Sequence, residues 1–276
     1  MMRRTRTAAL ATAALAALLL AGCSSAPAAT DPAETTETTD SSGLSGTINI
    51  AAAASLQPAF EELTETFTSL HPGVTIDQLT FEGSSGIATQ VLAGAPIDVF
   101  ASADEANMAK VEDADLVGAD PLAFATSSLQ LAVTPGNPLG ITSLADLADP
   151  AKGADGAAPV VVTCAPEVPC GAASWQLLDR DGVKLTPASE EQNVTAVLTK
   201  VGAGEADAGL VYRSDVLRSE GKVEGVEIPG SEEAAGVYVI APISDSASPE
   251  AALAFSEFML SDEAQALFAK LGFGAA

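Results

Sequence analysis

Two serine-containing junctions stand where a predicted strand passes directly into a predicted helix. The first is Ala52-Ala53-Ala54-Ser55, and the second is Gly83-Ser84-Ser85-Gly86. Serine hydroxyls and the free N–H groups of a helix's first turn are hydrogen-bond donors, and a helix start carries roughly half a positive charge. Two such junctions can bind an anion without any basic side chain. Each also has a purely structural interpretation, Ser55 as a helix N-cap and Gly-Ser-Ser-Gly as a flexible loop.

Enzyme chemistry finds less support in the residue pattern. A serine nucleophile needs a base, yet His71 is the only histidine and stands in a His-Pro-Gly turn. The sequence lacks the Gly-x-Ser-x-Gly of a nucleophile elbow, a Gly-x-Gly-x-x-Gly after a strand and a phosphate-loop lysine. Acidic pairs such as Asp113 and Asp115 are interpreted as solvated helix ends. A serine hydrolase that uses Ser55 or Ser84 is kept as the alternative from a different class.

The N-terminus has the pattern of a lipoprotein signal peptide. Three arginines precede an apolar run over residues 8–21, which ends in Leu20-Ala21-Gly22-Cys23. The run is shorter than the ~20 residues that a membrane-spanning helix needs. We therefore predict a signal peptide over residues 1–22 and a lipid on Cys23, so that the mature chain is extracytoplasmic and anchored to the cell membrane.

The segment after Cys23 and the overall charge limit the possible partners. Residues 23–45 are mainly Ser, Thr, Pro, Ala and acidic residues, which predicts a disordered tether about 25 Å across. The formal net charge of −25 becomes −28 once the three arginines of the signal peptide are removed. A field of that sign repels polyanions, so nucleic acid is not an expected partner. A small anion must then be held by a local, well-directed site.

The two remaining cysteines predict a disulfide. Cys164 and Cys170 are separated by five residues and would lie in an oxidising compartment. A zinc site built on the same pair would lack further ligands, because the only histidine stands in a turn elsewhere. We therefore expect Cys164 and Cys170 to be bonded to each other.

Strands alternate with helices in the first part of the chain, which predicts parallel β-α-β units and an α/β fold. A strand over residues 47–53 leads to a helix whose predicted N-cap is Ser55. A second strand ends near Phe81 and precedes a helix over residues 87–92, and a third, over residues 97–102, precedes a helix capped by Asp104. The apolar face of the first helix is predicted to comprise Leu56, Phe60, Leu63, Phe67 and Leu70.

The middle of the chain predicts a crossover into a second lobe. Residues 122–134 form an apolar stretch longer than one strand usually needs, and residues 236–242 predict a return strand. Between them, a helix is predicted to begin at Gly171 and a strand to cover residues 208–212. Helices over residues 249–260 and 262–271 are expected to pack back on the first lobe.

Four segments together resemble the periplasmic molybdate-binding proteins of bacterial ABC transporters. The similarity runs in order from about Gly46 to the C-terminus, and its most specific part is Gly-Ala-Pro-x-Asp-Val-Phe-x-Ser-Ala-Asp. The segments are Ala52-Ala53-Ala54-Ser55-Leu56, Phe81-Glu82-Gly83-Ser84-Ser85, Gly94-Ala95-Pro96-Ile97-Asp98-Val99-Phe100-Ala101-Ser102-Ala103-Asp104 and Gly209-Leu210-Val211-Tyr212. The resemblance implies a two-lobed periplasmic-binding-protein fold of type II, α/β in class, with crossover strands between the lobes. Residues 46–125 and 241–276 would form lobe 1, and residues 126–240 lobe 2.

The resemblance also implies a ligand and the residues that bind it. The ligand would be molybdate or tungstate, bound by Ser55 and Ser84 in lobe 1 and by Cys170, Val194 and Tyr212 in lobe 2. Cys170 and Val194 would donate backbone N–H groups, which tolerates a cysteine where many relatives have a smaller residue. No catalytic residue, cofactor or directly bound metal is implied, and the partners would be the oxyanion and an ABC permease, with the chain a monomer. A receptor for another oxyanion, sulfate or phosphate, remains an alternative.

Overall fold

The computed structural model describes residues 43–276 and shows strands and helices alternating along them. The predicted signal peptide, the lipid site at Cys23 and the tether up to residue 42 lie outside the described residues. The ten strands of the described part are β1 Ser45–Ala53, β2 Gly73–Glu82, β3 Val99–Ser102, β4 Leu122–Thr126, β5 Leu129–Val133, β6 Val161–Cys164, β7 Ser189–Glu191, β8 Ala208–Tyr212, β9 Glu224–Glu227 and β10 Val237–Pro242. Its eight α-helices are α1 Gln57–Leu70, α2 Ser84–Leu92, α3 Glu105–Glu112, α4 Pro169–Arg180, α5 Val194–Gly202, α6 Arg213–Arg218, α7 Pro249–Phe258 and α8 Asp262–Lys270.

The strands form two five-stranded sheets with the same internal plan. The first has the order β2-β1-β3-β10-β4, with β1 parallel to β2 and β3 and with β10 antiparallel to β3 and β4. The second has the order β7-β6-β8-β5-β9, with β6 parallel to β7 and β8 and with β5 antiparallel to β8 and β9. The α/β class is confirmed. Each sheet is mixed because the strands that enter it from the other sheet, β10 in the first and β5 in the second, run antiparallel to both of their neighbours.

The chain crosses between the sheets where the sequence predicted it. Residues 122–134 are two strands, β4 in the first sheet and β5 in the second, separated by Ser127 and Ser128. The return is β10, which belongs to the first sheet from Val237 onward. The two-lobed fold with crossover strands is therefore confirmed, and two short segments join the two sheets.

Helices α1, α7 and α8 cover one face of the first sheet with aromatic contacts. The ring of Phe255 lies 5.9 Å from that of Phe60 and 5.2 Å from that of Phe67, and the rings of Phe124 and Phe268 are 5.2 Å apart. The expected packing of the closing helices on the first lobe is therefore confirmed. The predicted apolar face of α1 is right for its first four residues and wrong for Leu70, which is the last residue of the helix and is 57% exposed.

Within residues 43–276, no helix has both the length and the apolar character that a membrane span requires.

Candidate functional site

A small cavity lies where the carboxyl ends of strands from both sheets face each other. Its volume is ≈ 10 Å³, the lower limit of the space that holds one water molecule. From the first lobe it is lined by Ala53, Ala54, Ser55, Glu82, Gly83, Ser84 and Ala103, and from the second by Val168, Pro169, Cys170, Val194 and Tyr212. The five residues predicted to bind the ligand, Ser55, Ser84, Cys170, Val194 and Tyr212, thus line one cavity, and each of them is buried.

Ser55 does not act as the helix N-cap that the sequence predicted. It is the middle residue of a single 3-10 turn, Ala54–Leu56, and the N-cap of α1 is Leu56, which makes no side-chain capping bond. Pro58 stands in the first turn of α1, where the missing N–H of proline leaves no donor to satisfy. The Oγ of Ser55 is instead 2.9 Å from the Oη of Tyr238. Its hydroxyl is therefore held by a side chain and not by the helix backbone.

Ser84 is the first residue of α2, which begins three residues earlier than the sequence predicted. Gly83 is its N-cap and makes no side-chain capping bond. The Oγ of Ser84 accepts a hydrogen bond of 3.0 Å from the N–H of Ala103, in the segment after β3. Because this bond uses a lone pair of the hydroxyl oxygen, the Ser84 proton stays available to a group in the cavity.

The second lobe contributes the N-termini of two helices. Helix α4 begins at Pro169, two residues before the predicted start at Gly171, because proline suits the first helical position. Cys170 is its second residue. Val194 is the first residue of α5, whose N-cap Asn193 accepts from the N–H of Ala196. The N–H groups of a helix's first turn lack intrahelical acceptors, so those of Cys170 and Val194 are free to donate into the cavity.

A disulfide joins the end of β6 to the first turn of α4. Cys164 is the last residue of β6, and its sulfur is bonded to that of Cys170. The backbone turns tightly next to the bridge. A Cβ on Gly171, directly after Cys170, would lie 1.9 Å from the carbonyl oxygen of Ala165, directly after Cys164. The bridge and this close approach fix the position of the Cys170 N–H relative to the sheet.

Tyr212, the last residue of β8, is 1% exposed, and its Oη has no hydrogen-bond partner among the described residues. Burial, reinforced by Tyr238, Asp104 and Asp215, raises the pKa of Tyr212 well above its ordinary value of 10. The phenol is therefore neutral at physiological pH and remains a donor. Its backbone N–H donates to Oδ2 of Asp215 over 3.0 Å, and Arg218 pairs with the same carboxylate at 2.7 Å.

Among residues 43–276, no lysine, arginine or histidine lines the cavity. Its polar groups are two hydroxyls, one phenol and backbone N–H groups at helix starts, together with one carboxylate, Glu82, which sequence reasoning missed. The Oε2 of Glu82 accepts a 2.7 Å bond from the side-chain amide of Gln90, so this oxygen is engaged within its own lobe. A signal was present, because Glu82 directly precedes the Gly-Ser-Ser-Gly junction at the carboxyl end of β2. The arrangement suits a small ligand that only accepts hydrogen bonds.

Comparison with known proteins agrees with this architecture. The family model described as bacterial extracellular solute-binding protein matches residues 48–274. The chain is 42% identical to the molybdate-binding protein ModA of Mycobacterium tuberculosis over 82% of its length and 84% of that protein. It is 30% identical to a sulfate-binding protein of Synechococcus elongatus over 84% of its length and 75% of that protein. The structure of the periplasmic molybdate-binding protein of Azotobacter vinelandii shares the fold, with a TM-score of 0.68, 22% identity and coverage of 83% of this chain and 99% of that one. This chain therefore belongs to the bacterial extracellular solute-binding proteins.

Proposed function

We propose that this protein captures molybdate or tungstate outside the cytoplasm and delivers it to an ABC importer. The observation that carries the proposal is the cavity between the two lobes, whose donors come from both sheets and, in the part of the chain that the structure describes, include no cationic side chain. Ser55 and Ser84 supply hydroxyls from the first lobe, and Cys170, Val194 and Tyr212 supply two N–H groups and a phenol from the second. A ligand bridging these groups stabilises the closed arrangement of the lobes.

The chemistry of the oxyanion matches this donor set. Molybdate and tungstate at neutral pH are dianions whose oxygens only accept hydrogen bonds, so every donor can be satisfied at once. Hydrogen bonds to a charged group contribute roughly 1.5–3 kcal/mol each. Several of them, less the costs of desolvation and closure, give an expected dissociation constant between about 1 µM and about 1 nM.

Two observations favour molybdate over other tetrahedral oxyanions. The molybdate-binding relative shares 42% identity with this chain, against 30% for the sulfate-binding relative. Phosphate carries a proton at neutral pH and needs an acceptor, and the described side chains that line the cavity offer it one carboxylate, Glu82, one of whose two oxygens already accepts from Gln90. Sulfate presents the same acceptor chemistry in a smaller tetrahedron, so the size of the closed cavity must discriminate against it.

The hydrolase alternative is not supported by the geometry. His71 follows the last residue of α1 and packs its ring 4.7 Å from that of Phe67, away from the serines that line the cavity. Neither Ser55 nor Ser84 therefore has a histidine base, and the family to which the chain belongs consists of binding proteins.

The finer organisation of the chain belongs to the same proposal. A signal peptide over residues 1–22 is removed, Cys23 receives the lipid, and the tether to the membrane ends at residue 44 and not at the predicted residue 45, because β1 begins at Ser45. Residues 46–125 and 241–276 move as lobe 1 and residues 126–240 as lobe 2, except that the return strand is paired with the sheet of lobe 1 from Val237 onward. The closed monomer is the form that the permease recognises.

Calorimetric titration of the purified protein with molybdate, tungstate, sulfate and phosphate at neutral pH tests the proposal. We expect one-to-one binding of molybdate and tungstate, with sulfate and phosphate at least 100-fold weaker, a difference of about 2.7 kcal/mol. Tighter binding of sulfate than of molybdate would reassign the ligand, and heat from none of the four would remove oxyanions as the ligand class.

A further inference from the structure

Tyr238 is a buried tyrosine next to the cavity that does not line it. It lies in β10, the return strand between the lobes, and is fully buried. Its ring makes edge contacts with three aromatic rings, 5.3 Å from Phe273, 5.9 Å from Tyr212 and 6.2 Å from Phe124. These contacts come from both lobes and fix the direction in which the phenol points.

The phenol of Tyr238 is directed at one of the candidate ligand-binding hydroxyls. Its Oη lies 2.9 Å from the Oγ of Ser55, and the distance alone allows either oxygen to be the donor. An oxyanion removes this ambiguity. Because the ligand only accepts, Ser55 can bond to it only by giving its proton, and the Ser55 oxygen is then left with lone pairs that can accept the proton of Tyr238.

Ser84, the other serine of the cavity, is held in the same way. Its Oγ accepts from the N–H of Ala103 over 3.0 Å, which leaves its proton for the cavity. Ser55 has no such backbone donor at its Oγ among the described residues, and the phenol of Tyr238 takes that place. Each of the two hydroxyls is therefore backed by a donor from another element of the fold, the N–H of Ala103 after β3 for Ser84 and the phenol of Tyr238 in β10 for Ser55.

We propose that Tyr238 is a positioning residue that directs the Ser55 proton toward the bound oxyanion. The inference rests on the proposed function. Donation from Tyr238 to Ser55 polarises the serine hydroxyl and strengthens its bond to the ligand, because hydrogen bonds in a chain reinforce each other in a water-poor site. Tyr238 thus contributes to affinity only through Ser55.

A double-mutant cycle on molybdate affinity separates this role from a structural one. Tyr238→Phe keeps the ring and its aromatic contacts and removes only the hydroxyl. We expect it to weaken binding about tenfold in the wild-type background and by less than about twofold in a Ser55→Ala background. Equal losses in the two backgrounds, or no loss in the wild-type background, would overturn the inference.

Ser256→Ala is the matched control for loss of a buried hydroxyl. Ser256 is fully buried in α7, donates to the carbonyl of Ala252 and does not line the cavity. It should leave affinity unchanged, and thermal unfolding of all variants shows that each is folded. If the wild-type protein binds none of molybdate, tungstate, sulfate and phosphate, the proposed function and this inference both fall. If the wild type binds and the cycle shows no coupling, the inference alone falls.

Neutron diffraction from the wild-type molybdate complex gives a test that requires no variant. The deuteron between the two oxygens should be bonded to Tyr238, and the deuteron of Ser55 should point at the ligand. A deuteron bonded to Ser55 and pointing at Tyr238 would overturn the inference.

Discussion

Ser84 and Ser85 are adjacent hydroxyl residues in the first turn of α2, yet only Ser84 lines the cavity. Ser84 is 1% exposed, and its oxygen is held by the N–H of Ala103. Ser85 is half-buried and its carbonyl accepts from Thr89 within the same helix. The two positions therefore allow one chemical change to be tested in two environments.

Ser84→Ala should weaken molybdate binding about 10- to 100-fold, because it removes one hydrogen bond to a charged ligand, worth roughly 1.5–3 kcal/mol. Ser85→Ala should leave affinity within about twofold of the wild type. Calorimetric titration of both variants measures the difference. Similar losses at the two positions would mean that the Ser84 hydroxyl is not a ligand.

The donors of the site predict an affinity that does not depend on pH near neutrality. Burial raises the pKa of Tyr212 and of Tyr238 above the ordinary value of 10. Between about pH 7 and about pH 9 both phenols are therefore protonated in the folded and unfolded chain. Above about pH 10 the unfolded chain releases phenolic protons that the folded chain retains, so the free energy of unfolding should fall there.

Affinity titrations across that range, with thermal unfolding extended above pH 10, check both parts of this prediction. A tenfold change in affinity between about pH 7 and about pH 9 would show that an ionising group contacts the ligand, in conflict with a set of neutral donors.

Single residues whose role depends on their neighbours in sequence could be predicted, and residues whose role depends on contacts far along the chain could not. Ser55 and Ser84 were found from local pattern, since each stands at a strand-to-helix junction. Cys170, Val194 and Tyr212 came from the family resemblance. The role of Ser55 as an N-cap was wrong, and Tyr238 was missed, because its partner is 183 positions away in sequence. No local pattern records a contact of that separation.

At the scale of elements, closure of the lobes depends on how near the N-terminus of α2 comes to the loop before α5. A Cβ on Gly83 would lie 2.1 Å from the carbonyl oxygen of Gln192, which belongs to the opposite lobe. The φ of Gly83 is −68°, so the backbone conformation itself suits any residue. Glycine is needed here for close approach between the lobes.

Gly83→Ala should therefore hinder closure and weaken molybdate binding at least tenfold while each lobe remains folded. Gly86→Ala, one turn along the same helix, is the control, because its Cβ would meet nothing nearer than Glu82 Oε2 at 3.5 Å. Titration with molybdate and small-angle scattering with and without ligand measure affinity and closure. Wild-type affinity in Gly83→Ala would show that the contact with Gln192 is not part of the ligand-bound state.

The disulfide between β6 and α4 predicts a link between redox state and affinity. Closing so short a loop stabilises a protein by about 2–3 kcal/mol, and the bridge ends at Cys170, whose N–H is a proposed ligand. Reduction by a thiol should lower the unfolding temperature and weaken molybdate binding. The Cys164→Ser/Cys170→Ser variant should reproduce both effects and be insensitive to the thiol. Equal affinity before and after reduction would limit the bridge to a role in stability.

Most elements were predicted in type and order, but β7, α6 and β9 were not predicted, and the remaining errors lie at the ends of elements. Helix α4 begins two residues before the predicted start, and α2 begins at Ser84 because its first turn includes the serines interpreted as a turn. The stretch over residues 122–134, predicted to be longer than one strand and to cross between the lobes, is two strands, because Ser127 and Ser128 interrupt it where the chain changes sheets. A local sequence pattern therefore predicts whether a segment is a helix or a strand more reliably than it predicts the residue at which that element begins or ends.

At the scale of the whole molecule, a chain of net charge −25 has a proposed anion site to which the described residues contribute no cationic side chain. The long-range field of the negatively charged chain repels an anionic ligand. Attraction comes from the hydrogen-bond donors and helix N-termini of the cavity, which lie together where the two lobes meet. The two-lobed fold was predictable because the crossover, the return strand and the family resemblance all indicated it. The volume of the closed cavity could not be predicted, because it depends on the packing of segments that are far apart in sequence.

The most direct test of the account is a crystal structure of the protein grown with molybdate, with the metal located by its anomalous scattering. The account predicts one strong peak in the cavity between the lobes, with the oxygens of the anion within hydrogen-bond distance of the Ser55 and Ser84 hydroxyls and the Tyr212 phenol. A peak outside that cavity, or molybdenum bonded directly to the carboxylate of Glu82, would contradict recognition by neutral donors.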